Sequence, residues 1–148
     1  MAAPRVLLVD ADAETRTILR VALEHFGFAV QEAATAETAL DAAVRDVPDV
    51  VITELWVPGS RGACVLSAVL HRDARTDRAR VIVLTTRAQP GDLDVARRSG
   101  ADRVFAKPAD LAQVLDAVRA LCRPSSLGAP YAWPTEIGEP RDRVLPLQ

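Results

Sequence analysis

Aromatic side chains make up only 4% of this 148-residue chain. Packing must therefore come from Ala, Val and Leu on helix stripes and strand faces. Long apolar runs are also missing. The first one after Met1 lasts four residues, Val6–Val9, and stops at Asp10. That is too short for the apolar region of an export signal or for a membrane span, so the cytoplasm is the expected compartment and no membrane partner is expected. There is no basic excess: 18 Lys and Arg stand against 20 Asp and Glu, for a net charge of −2. A nucleic-acid module would show a basic stripe, and none is expected to bind here. The two cysteines, Cys64 and Cys122, have no metal-ligand spacing and read as small, partly buried thiols. His25 and His71 stand alone, without acids or thiols at ligand spacing. No G-x-G-x-x-G follows a strand-like run, and neither a G-x-x-x-x-G-K-[ST] nor a G-x-S-x-G motif occurs.

What is present is a fivefold alternation of strand and helix patterns, which argues for a parallel sheet covered on both faces. The strands are expected near Arg5–Val9, Phe28–Gln31, Val50–Thr53, Val81–Leu84 and Arg103–Phe105. Asp12 is placed to cap a first helix that runs to Phe26 and is ended by Gly27, with Ile18, Leu19, Ala22, Leu23 and Phe26 as its apolar stripe. Thr35 caps a second helix, whose apolar positions extend from Ala36 to Val47. A third helix follows Gly62 and buries Val65, Leu66, Val69 and Leu70, and Arg72–Arg80 reads as a loop. Pro90 opens a fourth helix that Ser99-Gly100 closes. A fifth runs from about Ala109 to Cys122, its apolar side formed by Leu111, Val114, Leu115, Val118 and Leu121. On this sheet Cys64 and Cys122 fall on opposite faces, which excludes a disulfide between them. The domain is expected to span residues 1–123. Residues 124–148 hold five of the ten prolines and read as an extended or disordered tail, with Tyr131 and Trp133 as a docking peptide or a segment that folds back.

Four strands end in a residue with chemistry: Asp10, Glu54, Thr85 and Lys107. Side chains just past the carboxyl ends of parallel strands share one crevice, so two carboxylates, a hydroxyl and an ammonium converge. VLLVDAD, PDVVITELWVPGSRG, VIVLTT and SGADRVFAKP, followed by an amphipathic helix, together resemble the receiver domain of bacterial two-component response regulators. The resemblance covers about Arg5 to Cys122. It implies a flavodoxin-like, doubly wound five-stranded parallel sheet of order 2-1-3-4-5 with five helices. It also implies a signalling module rather than an enzyme, with a histidine kinase or an output protein as partner. A homodimer through the face of the fourth helix, fifth strand and fifth helix is implied as well. In the family, an aspartate at the end of strand three takes a phosphoryl group with the help of Mg²⁺ held by an acidic pair. Lys107, Thr85 and Phe105 match the phosphoryl-contacting lysine, the hydroxyl and the aromatic switch, and Asp10 matches the first acid.

Two positions depart from the family. Glu54 occupies the phosphoacceptor position, and Ala11 replaces the second acid, the expected metal ligand. Asp12 is the other acid near the pocket, but its expected work is helix capping. With one carboxylate gone, Mg²⁺ affinity is expected to be lost or weak, since this ion needs near-octahedral oxygen geometry; no other cofactor is expected. Glutamate reaches roughly 1.5 Å further than aspartate, and a misplacement of about 1 Å can cost about a hundredfold in rate. The expected function is a stand-alone, atypical receiver that acts through protein contacts, independently of phosphorylation. Its alternatives are a phosphotransfer-competent receiver using Glu54 and a small-molecule-sensing pseudo-receiver whose pocket is rimmed by Trp56 and Arg87.

Overall fold

The computed structural model describes residues 3–122. The proposed tail and its Tyr131 and Trp133 lie outside the described residues. Ten elements alternate along the chain. The strands are β1 (Arg5–Val9), β2 (Ala29–Ala33), β3 (Val50–Thr53), β4 (Arg80–Thr85) and β5 (Arg103–Ala106). The helices are α1 (Ala13–His25), α2 (Ala36–Arg45), α3 (Leu66–Arg72), α4 (Pro90–Arg98) and α5 (Leu111–Cys122). The five strands form one parallel sheet of order β2-β1-β3-β4-β5.

The near-continuous apolar strands are buried from both sides, as expected where helices cover both faces of a parallel sheet. Period-two alternation divides each strand between two cores. Leu7, Val9, Val51, Val81 and Val83 pack with residues of α2, α3 and α4. Val6, Leu8, Ile52, Ile82 and Phe105 pack with α1 and α5. Cys64 lies at the α3 side and Cys122 ends α5; both thiols are free. Burial pushes the Cys122 thiol up to about 11, with the Asp49 carboxylate adding to the shift. Burial, with Glu37 nearby, also raises that of Cys64.

Capping follows the sequence. Asp12 accepts from the Glu14 amide at 3.3 Å and from the Thr15 hydroxyl at 2.6 Å. Thr35 and Thr38 cap α2 reciprocally. Gly27 closes α1 with φ +91° and Gly100 follows α4 with φ +92°, a conformation that costs glycine little and other residues more.

Several expectations need correction. β2 lies at Ala29–Ala33 rather than Phe28–Gln31, because its register is set by pairing with Arg5–Val9 across the sheet and not by its own weak apolar pattern. α2 stops at Arg45, leaving Val47 44% exposed. In α1, Leu19 and Leu23 are buried, whereas Ile18 and Phe26 are 56% and 50% exposed. The helix presents a narrow stripe to the sheet, and the residues beside that stripe remain on the surface. Leu111, at the start of α5, is likewise 36% exposed.

Leu23 is fully buried, so Leu23→Ala is expected to cost about 2–5 kcal/mol by lost transfer energy and a residual cavity. Val21, exposed on the same helix, is expected to tolerate Val21→Ser within about 0.5 kcal/mol. Urea unfolding of both variants checks the pair.

Candidate functional site

The register of the sheet brings the site together. Val9 lies opposite Thr53, and Thr85 lies opposite Ala106. The next residues, Asp10, Glu54 and Lys107, therefore leave β1, β3 and β5 at the same edge, with β4 between the last two. The ladder continues one step into the loops: the Glu54 amide donates to the Val9 carbonyl at 3.0 Å, and the Lys107 amide to the Thr85 carbonyl at 2.8 Å. Backbone bonds thus hold the bases of these side chains before any side-chain contact is made.

The Lys107 ammonium donates to Asp10 Oδ2 at 2.5 Å and to Glu54 Oε2 at 3.1 Å. All three side chains are largely shielded, at 18%, 13% and 17% exposure. The second oxygen of each acid is also engaged. Asp10 Oδ1 accepts from the Asp12 amide at 2.9 Å, and Glu54 Oε1 accepts from the Leu55 amide at 2.7 Å. All four carboxylate oxygens therefore have a protein donor. Partial burial works against the ammonium, but the hydrogen bonds to Asp10 and Glu54, with their charges, outweigh it and raise the Lys107 pKa above its ordinary 10.5.

The other expected site residues fall around this centre in different ways. Ala11 contributes no side-chain oxygen. Asp12 lies at the head of α1, where its bond to the Thr15 hydroxyl is the main cause that keeps its carboxyl below the usual range. Thr85 is fully buried, and its hydroxyl accepts from the Arg87 amide at 2.9 Å. The extra methylene of Glu54 thus carries its carboxylate to Lys107 and back to its own loop, and no hydrogen bond joins it to Thr85 among the described residues. Phe105 is 3% exposed and packs in the core beneath α1 and α5. Trp56, partly buried, packs against the opposite core. The Arg87 guanidinium lies 5.7 Å from the centre of its ring and 3.8 Å from Asp92 at the start of α4. Among the described residues, no three His, Cys, Asp or Glu side chains gather as a metal-ligand group, and no helix is long and apolar enough to cross a membrane.

One supporting residue was not visible in the sequence. Arg16 donates to the Asp10 backbone carbonyl at 2.5 Å and to Glu32 of β2 at 3.1 Å. It ties the loop that carries Asp10 to the neighbouring strand. The only signal was an arginine four residues past the cap, and its meaning depends on the β1–β2 pairing.

The geometry is that of a doubly wound α/β domain with an acid–lysine cluster at the carboxyl edge of its sheet. Solved structures share the fold. A putative response regulator from Chloroflexus aurantiacus matches with TM-score 0.74 and 23% identity, over 81% of this chain and 98% of that one. The signal receiver domain of a signal transduction histidine kinase from Syntrophus aciditrophicus matches with TM-score 0.74 and 22% identity, over 88% and 100%. Residues 6–119 match the response regulator receiver domain family, and the chain belongs to it. Among its relatives, the DNA-binding dual master transcriptional regulator RpaA of Synechocystis is 35% identical over 81% of this chain and 49% of that protein. The transcriptional regulatory protein AfsQ1 of Streptomyces coelicolor is 36% identical over 81% and 52%. Sporulation initiation phosphotransferase F of Bacillus subtilis is 29% identical over 78% and 90%. The chain spans about half the length of the first two. It is a receiver domain of two-component signalling.

Replacing Lys107 with methionine leaves two shielded carboxylates facing each other, and is expected to cost about 1–3 kcal/mol at neutral pH. Because the lysine pKa is raised in the folded protein, its contribution is fully present below the unfolded value of 10.5 and is lost as pH rises through the higher folded value. The stability gap between the parent and Lys107→Met should therefore stay level from neutrality to about pH 10 and then close. Urea unfolding across that range measures it.

Proposed function

We propose that this receiver signals from a fixed conformation, through contacts with a protein partner, and without an Mg²⁺-dependent phosphorylation cycle of its own. The observation that carries the reading is the Lys107 ammonium bound to both Asp10 and Glu54. Lys107 and Glu54 occupy the positions where the family's lysine would meet an acyl phosphate. Glu54 already supplies a negative charge to that lysine, in weaker form than a phosphoryl group, which brings nearly two charges and three acceptor oxygens. The buried ring of Phe105 supports the same reading, because the aromatic switch is turned into the core. The face of α4, β5 and α5 is the proposed partner surface, for a kinase, an output protein or a second copy.

The donor set does not fit Mg²⁺. Ala11 offers no carboxylate, Asp12 caps α1, and Asp10 and Glu54 together with Lys107 amount to a net charge of −1. A hard divalent ion that prefers octahedral oxygen ligands would have to displace an ammonium and two backbone donors. The nucleophilic use of Glu54 as an acyl-phosphate acceptor meets the same obstacle, because both of its oxygens are bound and its reach is a methylene too long for an in-line attack set for aspartate. A small-molecule pocket over the site has less support, since the two side chains that would rim it, Trp56 and Arg87, lie against each other.

Incubation of the protein with acetyl phosphate and Mg²⁺ is expected to give no phosphoryl adduct by intact mass, and titration calorimetry no tight Mg²⁺ binding. An adduct lost in Glu54→Ala but kept in Asp12→Asn would overturn the proposal. The reverse substitution is also informative. Joining Ala11→Asp to Glu54→Asp is expected to create Mg²⁺-dependent phosphorylation, whereas Glu54→Asp alone should remain much poorer because the metal site is still one ligand short. Phosphate incorporation in the two variants provides the comparison.

A further inference from the structure

Lys107 is the only lysine of this chain, so arginine carries nearly all of its positive charge. Eight arginines of the described residues form ion pairs with Asp or Glu at 3.9 Å or less. Five exposed ones, Arg61, Arg72, Arg78, Arg97 and Arg98, have no hydrogen bond or ion pair among the described residues. Four of these five stand together. Arg72 ends α3, Arg78 lies in the loop behind it, and Arg97 and Arg98 form the last turn of α4.

Side-chain contacts join the two helix ends. The Ser67 hydroxyl of α3 donates to the Ser99 carbonyl at 3.0 Å, and His71 Nδ1 lies 3.0 Å from the same oxygen. Ser99 is the C-cap of α4. The approach is close, since a Cβ on Gly100 would come within 2.5 Å of the His71 ring. The loop is pinned to the same helix end, because the buried Thr76 donates its hydroxyl to the Leu70 carbonyl at 2.7 Å. Arg72 and Arg98 thus flank one contact from its two sides. Residues 71–80 hold four arginines against two aspartates, and residues 97–103 hold three against one. The result is a local excess of four positive charges in a chain of net charge −2. Helix dipoles alone do not account for it. A helix C-terminus favours a cation, yet the same end of α2 pairs Arg45 with Asp46 at 3.7 Å, and that of α1 carries His25.

We propose that the surface formed by Arg72, Arg78, Arg97 and Arg98 docks an acidic peptide segment of a partner protein. A guanidinium is weakly hydrated and donates two parallel hydrogen bonds to one carboxylate, and these four have no acid of their own to occupy them. Other polyanions fit less well. Asp73, Asp77 and Asp102 interrupt the patch and oppose an evenly charged phosphate backbone. No Phe, Tyr or Trp occurs in residues 66–80 or 90–103 to stack on a base. A membrane surface calls for apolar side chains that insert, and the exposed large ones, Ile18, Val21, Phe26, Val47 and Leu111, lie on other segments. A second copy is also a poor match. Its exposed acids without a bond, Glu14, Asp41, Asp77 and Asp94, are scattered over α1, α2, the α3–β4 loop and α4. The patch lies at the opposite edge of the sheet from Asp10, Glu54 and Lys107, so the proposal does not depend on the state of that pocket.

Amide chemical shifts of the full 148-residue chain, titrated with a terminally blocked hexaglutamate peptide, provide the test. Shifts are expected at residues 71–80 and 97–103. Binding should weaken as salt rises from about 0.01 M to about 0.15 M, where screening shortens to about 8 Å. Arg97→Glu joined to Arg98→Glu should weaken the peptide by about tenfold or more, and Arg72→Glu joined to Arg78→Glu should do the same. Arg61→Glu, an unpaired arginine at the other edge of the sheet, should leave binding within about twofold. Unchanged sheet amide shifts confirm that each variant is folded. Failure of the peptide to shift these residues, or binding that survives both double substitutions, would overturn the proposal. So would tighter binding of a short DNA duplex or of phosphatidylserine vesicles than of the peptide, which would make nucleic acid or a membrane the occupant.

Discussion

Two carboxylates cannot sit at the ends of adjacent strands without a cation between them, and that constraint organises the carboxyl edge of this domain. The β1–β3 register places Asp10 beside Glu54 whatever their charges. Placing like charges so close in a partly shielded crevice is unfavourable unless something of opposite sign enters. In this chain the answer is internal: Lys107 leaves β5 two strands away and brings its ammonium to both acids. One residue thereby joins the loops after β1, β3 and β5. Arg16 reinforces the first of them by holding the Asp10 carbonyl and Glu32 together.

The same contact links the fold to the proposed signalling state. A receiver that cycles needs a pocket left under-neutralised, so that a metal ion and a phosphoryl group can enter and change it. Ala11 removes one source of that excess charge, and Glu54 brings the remaining acid within reach of the lysine. The backbone amides of Asp12 and Leu55 complete the hydrogen bonding of the acids. On the proposed reading, a crevice whose carboxylate oxygens already have protein donors has little left with which to recruit a ligand. On the same proposed reading the surface of α4, β5 and α5 is the part that signals, and Phe105 and Thr85 are buried beside the crevice.

Much of this was legible in the residues alone. The apolar runs at β1, β3 and β4 have lengths that parallel strands take, and Asp12 and Thr35 announced their caps through side-chain chemistry that works within three residues. The strand-end positions of Asp10, Glu54, Thr85 and Lys107 followed from the same runs. The misreadings occurred where local pattern is weak and neighbours decide. Ala-Val-Gln-Glu-Ala is a poor strand by composition, and β2 takes its place from hydrogen bonding to β1. Ile18 and Phe26 satisfy a helical period, yet periodicity gives the angle of a stripe and not its width, so it could not show that α1 buries only Leu19 and Leu23.

The sequence by itself determined the alternation of elements, the caps, and which four chemical groups gather at one edge, because each depends on short-range sterics and on the polarity of neighbouring residues. Only the tertiary structure decided how those groups share their bonds. It sends the Glu54 carboxylate to Lys107 and Leu55 rather than to Thr85, and it brings the ends of α3 and α4 together. Those outcomes depend on the spacing of strands and helices that are far apart in the chain, and distances of that kind are set when the two cores pack.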